Sequence, residues 1–197
     1  MSPLDDTALA RLFTEARSHR AWQAKAVAPE LLAQLYALVK FGPTAMNAQP
    51  LRLTFVMSDA AKAKLVPCLD AGNVEKVKAA PVTAIIAWDT HFYDHLPTVA
   101  PHMAAMREVL AKMPSEQVRE LALQSTYLAA GYVIIAARGL GLDCGPMSGF
   151  RNSAVDEAFF ADGKQRSALL INLGYGDASQ LFPRAPRLEF AQACAIL

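Results

Sequence analysis

The sequence predicts a single α+β domain over residues 1–197. Two observations carry that prediction. Amphipathic stretches of helical period recur along the chain, broken by short runs rich in β-branched and aromatic residues, as at Val82–Trp88. Hydrophobic residues make up 53% and charged residues 19%, enough apolar content to bury a sizeable core at this length, and no repeat, low-complexity tract or linker interrupts it.

The first helix is predicted over Asp5–Ser18, with Leu9, Leu12, Phe13 and Ala16 at helical spacing and Asp5, Asp6 or Thr7 as caps. Pro29 opens a second over Glu30–Lys40. A polar loop, Gly42–Pro50, leads into a strand at Leu51–Met57. Ser58 or Asp59 caps a helix to Leu69; Ala71-Gly72-Asn73 reads as a break, and Val74–Ala79 as helix. Val82–Trp88 reads as a buried strand. Asp89–Pro101 is expected to be irregular, Met103–Met113 helical, and Ser115 to Arg138 one long helix with Leu121, Leu128 and Ile135 every seven residues. The glycine-rich Gly139–Phe150 (GLGLDCGPMSGF) is predicted as a turn exposing backbone N–H groups at close range. Ser153–Phe160 reads as a short helix, Ser167–Gly174 as the last strand, and the tail as a final apolar helix.

The net charge of +1 provides no overall field for nucleic acid or membrane, so any phosphate-binding charge must be local. The uncharged run Thr126–Ala137 is shorter than the roughly 20 residues of a membrane span. Three cysteines without a CxxC pair form neither a disulfide framework nor a zinc ribbon; buried free thiols and a cytoplasmic location are expected, with no signal peptide at the N-terminus. His91, Asp94 and His95 resemble a metal set but lack the HExxH glutamate and a third firm ligand, so no metal is expected and Phe92 or Tyr93 is read as part of a lid. No GxGxxG follows a strand, and neither GxxxxGK[ST] nor GxSxG occurs.

Four polar groups remain as candidates. Arg17, Ser18 and Arg20 suit a phosphate, although a helix C-terminus attracts the same cations. Thr44, Asn47 and Gln49 have donors and acceptors for the edge of a heteroaromatic ring, or for their own backbone. Asn73 and Lys76 share a face if their segment is helical. Arg184 and Arg187 fit the same phosphate as the first cluster if the tail folds back.

In order along the chain, RSHRAW (Arg17–Trp22), PTAMNAQP (Pro43–Pro50), GNVEK (Gly72–Lys76), GLDCGPMSGF (Gly141–Phe150) and RAPRL (Arg184–Leu188) resemble the nitroreductase family of FMN-dependent oxidoreductases. FGPTAMN, GPMSGF and INLGYGD resemble most its short subfamily of malonic semialdehyde reductases. The resemblance implies a three-layer sandwich with a mixed, mainly antiparallel sheet flanked by helices. It also implies an intertwined homodimer holding FMN at two interface sites. Arg17, Ser18 and Arg187 would hold the phosphate with Arg184 and His19 nearby; Arg20 and Lys76 would lie toward N1–C2=O and Asn73 toward the pyrimidine edge. Thr44, Asn47 and Gln49 would reach ribityl or ring atoms, and Pro146, Met147, Ser148 and Gly149 would wrap the N5–C4=O edge from the neighbouring subunit. Ala45 and Met46 replace residues that in the family are often Ser or Thr.

The implied activity is reduction of a small carbonyl such as malonic semialdehyde to 3-hydroxypropionate by NADH or NADPH, with nitroaromatics as side substrates. No side chain is assigned an acid or base role. The alternative is a binding or scaffold dimer on the same fold without reductase activity, motivated by the residues at 45 and 46.

Overall fold

The structure is a computed structural model that describes residues 2–197. Its centre is a four-stranded sheet of β1 (Leu51–Val56), β2 (Val82–Asp89), β3 (Asp143–Met147) and β4 (Gln165–Gly174) in the order β1-β2-β4-β3. All three strand pairings are antiparallel. The two interior strands are covered on both faces, which is why Val82–Trp88 reads as an unbroken apolar run rather than an alternating one. A β-bulge interrupts the β2–β4 register, with Ile86 opposite Leu169 and Ala87 opposite Ser167, so Ala168 is the extra residue.

Strand residues alternate between two helical layers. Val82, Ala84 and Ile86 face α2 (Pro29–Val39) and α7 (Ser115–Gly139), packing with Leu35, Val39, Ala130 and Val133. Ile85, Ala87 and Leu170 face α3 (Asp59–Leu65), α4 (Ala71–Ala79) and α8 (Asn152–Phe159), packing with Leu65, Val77 and Val155. The expected three layers are therefore present. Leu35, Leu65, Ile85 and Leu170 are fully buried, and truncating any of them to alanine costs about 2–5 kcal/mol. A third cluster, under α5 (Leu96–Val99) and α6 (Met106–Lys112), joins Phe92, Leu96 and Leu110 to Trp88 at the end of the sheet.

Several expectations are corrected. The first helix covers Asp6–Leu9 (α1), capped by Asp5 Oδ1 on Ala8 N at 2.7 Å, and continues as a π-turn over Ala10–Thr14. The basic cluster thus lies beyond it in irregular, extended chain, not at a helix end. The expected break at Ala71-Gly72-Asn73 is the first turn of α4, so Asn73 and Lys76 do share a helical face. Asp89–Pro101 holds a 3₁₀ turn (Phe92–His95) and α5, and the next helix starts at Met106. Along α7 the small residues Ala122, Ala129 and Ala137 face the core, while Leu128 points outward and is half exposed. The tail holds a 3₁₀ turn (Ala178–Gln180) and one helical turn, α9 (Phe190–Ala193), with Leu188, Phe190 and Ile196 exposed.

The largest correction concerns Gly139–Phe150. It is no free turn: Asp143–Met147 is the edge strand β3, paired with β4 from Asp143↔Gly174 to Met147↔Leu170. Gly145 tolerates the strand because the backbone carbonyl of His19 lies 2.4 Å from where a Cβ would be. α7 is long and apolar enough to cross a membrane by length and composition, yet it packs against β2 and the edge strands through its alanine face.

Candidate functional site

The tail folds back on the first basic cluster, and backbone carbonyls hold the two together. Arg17 Nη2 donates to Phe182 O (2.5 Å), Arg20 Nε to Gln180 O (3.1 Å) and Arg184 Nη2 to Ala16 O (3.1 Å). Arg17, Ser18, Arg184 and Arg187 line one cleft of about 670 Å³, together with Arg138 from the end of α7. No carboxylate lines this cleft, and none of its four guanidinium groups has an ion-pair partner among the described residues. Four cations converging without counter-charge suit a dianionic phosphate group far better than a solvated surface.

Two members of the RSHR stretch point elsewhere. His19 is buried, its ring packed against Gly176 and its Nε2 3.5 Å from Asp143 Oδ1, so it clamps β3 to the chain after β4. Arg20 stacks its guanidinium 3.6 Å over the Phe182 ring. Neither lines the cleft.

Ser18, which lines the cleft, also borders the outer edge of β3. Ser18 forms a parallel bridge to Cys144, and His19 N donates to Cys144 O at 2.8 Å, so Cys144 turns its backbone outward. With a period of two, Pro146 and Ser148 turn outward as well. Pro146 has no N–H to leave unpaired there, which fits an edge position. At the strand's end the Gly149 carbonyl accepts from Asp70 N (3.1 Å) and from Asn73 Nδ2 (2.9 Å), while Asn73 Oδ1 accepts from Lys76 Nζ (3.0 Å). A Cβ at Gly149 would lie 2.6 Å from Asn73 Nδ2. Met147 is buried under the sheet and, by the same period, turns its backbone toward β4, so it contributes neither side chain nor backbone to the outer edge.

The polar loop lies elsewhere. Thr44 Oγ1 accepts from Gln49 N (3.1 Å), Asn47 Nδ2 donates to Val99 O (2.7 Å), and Gln49 Nε2 donates to Asn47 Oδ1 (3.3 Å). Met46 (φ 57°), Asn47 (52°) and Gln49 (47°) are all left-handed, a concentration of strain that points to a functional loop. The loop leads into β1, at the opposite edge of the sheet from β3. Three inter-strand spacings separate them, about 14 Å. Along α7, Ser125, which accepts from Ala45 N, is about 20 Å from Arg138. Thus Arg17, Ser18, Asn73, Lys76, Pro146, Ser148, Gly149, Arg184 and Arg187 belong to one edge of one chain. Thr44, Asn47 and Gln49 form a separate group at the opposite edge of the sheet.

Burial pushes the Cys144 thiol up to about 12 against the opposing field of Arg138, and burial raises Cys68 too, so neither is a nucleophile. His95 Nε2 and Arg52 both face Asp89 Oδ2, at 3.3 and 2.6 Å, and His91 contacts Thr90 Oγ1. Asp94 pairs with Arg107. The three suspected metal ligands therefore have separate protein partners.

The nitroreductase family pattern matches residues 14–175. Two proteins named "Putative NADH dehydrogenase/NAD(P)H nitroreductase" align over almost their whole length. That of Leptothrix cholodnii is 53% identical, covering 98% of both chains; that of Stutzerimonas stutzeri is 54% identical, covering 99% of this chain and 98% of its own. The chain belongs to the nitroreductase family. Among solved structures, a "putative nitroreductase in complex with FMN" from Exiguobacterium sibiricum superposes with a TM-score of 0.86 at 18% identity, covering 100% of this chain and 99% of its own, which establishes the shared fold.

Set in this nitroreductase, the donor set fits a flavin mononucleotide: uncompensated guanidinium groups at one end, and an outward-facing strand edge with Asn73 and Lys76 at the other. Sequence reasoning missed Arg138, although it is the charge that closes the uncharged run Thr126–Ala137. It also missed Asp143 and Gly176, the partners of His19, which no local pattern marks.

Proposed function

We propose that this nitroreductase is an FMN-dependent NAD(P)H oxidoreductase that reduces a small carbonyl substrate, such as malonic semialdehyde to 3-hydroxypropionate, with nitroaromatics as further acceptors. The observation that carries the reading is the acid-free arginine cleft whose wall residue Ser18 is bridged to Cys144 on the outer edge of β3. The names of the two relatives above support NADH or NADPH as donor, and GPMSGF and INLGYGD support the aldehyde.

Bound flavin supplies the hydride chemistry; the chain binds and orients it. Arg17, Ser18, Arg184 and Arg187 hold the phosphate. The outward backbone of Pro146 and Ser148 would hold the edge of the ring. Lys76, steadied by Asn73 Oδ1, would place a positive charge at that end, where it would stabilise negative charge developing on the ring. Arg20, committed to Phe182 and Gln180, braces the tail and leaves that task to Lys76.

One chain provides only half of this site. A ring on the β3 edge is out of reach of Thr44, Asn47 and Gln49 of the same chain, so a second copy supplies them in a homodimer with two equivalent sites. The exposed Tyr127, Leu128 and Tyr132 on α7 and Tyr36 and Leu38 on α2 form the apolar surface such a partner covers.

The test is anaerobic reduction of the FMN-loaded protein by NADH and by NADPH, then reoxidation with malonic semialdehyde, enones and nitroaromatics. Bleaching by a nicotinamide and recovery of colour with the aldehyde are expected. A protein that stays colourless with added FMN overturns the reading; one that binds FMN without bleaching is a binding or scaffold dimer instead.

A further inference from the structure

Arg138 ends α7 and takes part in two contacts to the N-terminal helix at once. Its Nη1 donates to Leu12 O at 2.8 Å, and its own carbonyl accepts from Arg11 Nε at 3.0 Å. A guanidinium has five N–H donors, so most remain for the cleft that Arg138 lines beside Arg17, Ser18, Arg184 and Arg187. Its field reaches Cys144, the residue whose backbone pairs with Ser18. A cation at a helix C-terminus is unremarkable alone. That does not explain why three further arginines from two distant stretches converge on it with no carboxylate among them.

We propose that Arg138 is a fourth guanidinium ligand of the cofactor phosphate, and that through the Leu12 carbonyl it fastens the N-terminal helix to the loaded site. This rests on the flavin reading above. The segment Asp6–Thr14 buries no residue, and Leu9 and Phe13 are exposed. Apart from the half-buried Leu12 beside Gly139, its attachment rests on polar contacts, of which the Arg11–Arg138–Leu12 exchange is one. A phosphate that orders the Arg138 side chain orders the carbonyl it holds.

FMN and riboflavin share ring and ribityl chain and differ in the phosphate, so they separate this role from a purely structural one. The apo-protein is titrated with each by flavin fluorescence, for the parent, Arg138→Gln, Arg138→Lys and Arg187→Ala. Hydrogen exchange of residues 6–14 is followed in the parent with each ligand. In Arg138→Gln, FMN affinity is expected to fall about ten- to a hundredfold, the range for losing one hydrogen bond to a charged group, with riboflavin affinity unchanged. Arg138→Lys falls between, and FMN protects residues 6–14 more than riboflavin does. An unchanged FMN-to-riboflavin ratio in Arg138→Gln overturns the inference alone. If that variant does not fold, an unchanged ratio in Arg138→Lys together with equal protection by the two ligands does so. A parent that does not prefer FMN, with Arg187→Ala no different, overturns the flavin reading as well.

Discussion

Asn73 Nδ2 donates to the Gly149 carbonyl at 2.9 Å and lies 2.6 Å from where a Cβ on Gly149 would be. One contact thus joins α4 to the end of β3 and forbids a side chain there. Lys76 Nζ, 3.0 Å from Asn73 Oδ1, inherits its position from it. Gly149→Ala must push Asn73 aside, and Asp70 Oδ2, 3.0 Å from the same point, restricts the retreat. The variant is expected to lose about 1–3 kcal/mol of stability through overpacking. Thermal melting checks this, and flavin titration is expected to show weaker binding of FMN and riboflavin alike, since the defect is at the ring end.

The proposed division of the site between two chains predicts complementation. Arg187→Ala damages the cleft, and Asn47→Asp damages the loop while keeping a residue type that tolerates a left-handed backbone. Each homodimer then has two damaged sites. A mixed dimer pairs an intact cleft with an intact loop at one of its two positions. Co-refolding the variants in equal amounts should restore about a quarter of parental NAD(P)H oxidation, the statistical share for a two-fold dimer. No recovery would place all of the site in one chain.

The outward face of α7 gives a separate handle on assembly. Leu128 is 49% exposed in the single chain, so Leu128→Arg leaves the core of each chain intact. Light scattering should report a monomer or a weakened dimer, with FMN retention lowered in parallel. A dimer that persists with full flavin content would move the interface elsewhere.

The Cys144 thiol gives an alkaline signature. Its folded value, about 12, exceeds its ordinary value of 9.0 because burial penalises the thiolate. Above pH 9 the unfolded chain loses this proton and the folded chain keeps it, so stability is full below pH 9 and falls as pH rises toward 12. The slope is about 1.4 kcal/mol per pH unit for one such group. Cys144→Ala lowers stability at neutral pH but should flatten this limb, as urea melts at pH 8, 9.5 and 11 can measure.

How far this protein can be read from its sequence depends on the range of the forces involved. The interior strands were legible because burial on both faces demands continuous apolar runs such as Val82–Trp88. Asn73 and Lys76 were legible as a pair only on the condition that their segment is helical, because the break read at Ala71-Gly72-Asn73 left Asn73 outside the helix that in fact begins at Ala71. β3 was not, since Gly145 and Pro146 are poor strand formers; the reasons they fit, the His19 carbonyl and an unpaired edge, lie over a hundred residues away or in the topology. Both sides of α7 are apolar, so periodicity could not say that Ala129 faces inward and Leu128 outward. The arginine clusters were visible as composition, but only the return of the tail to Ala16 and Arg17 joins them.

The left-handed run at Met46, Asn47 and Gln49 sets stability and recognition against each other. Glycine at any of the three would relax the backbone and remove the side chain that makes the position useful. Selection for heat tolerance alone should therefore drift toward glycine in this loop and arrive at a sturdier, less discriminating protein, whereas variation aimed at new acceptors does better to keep those backbone angles and exchange the groups they display.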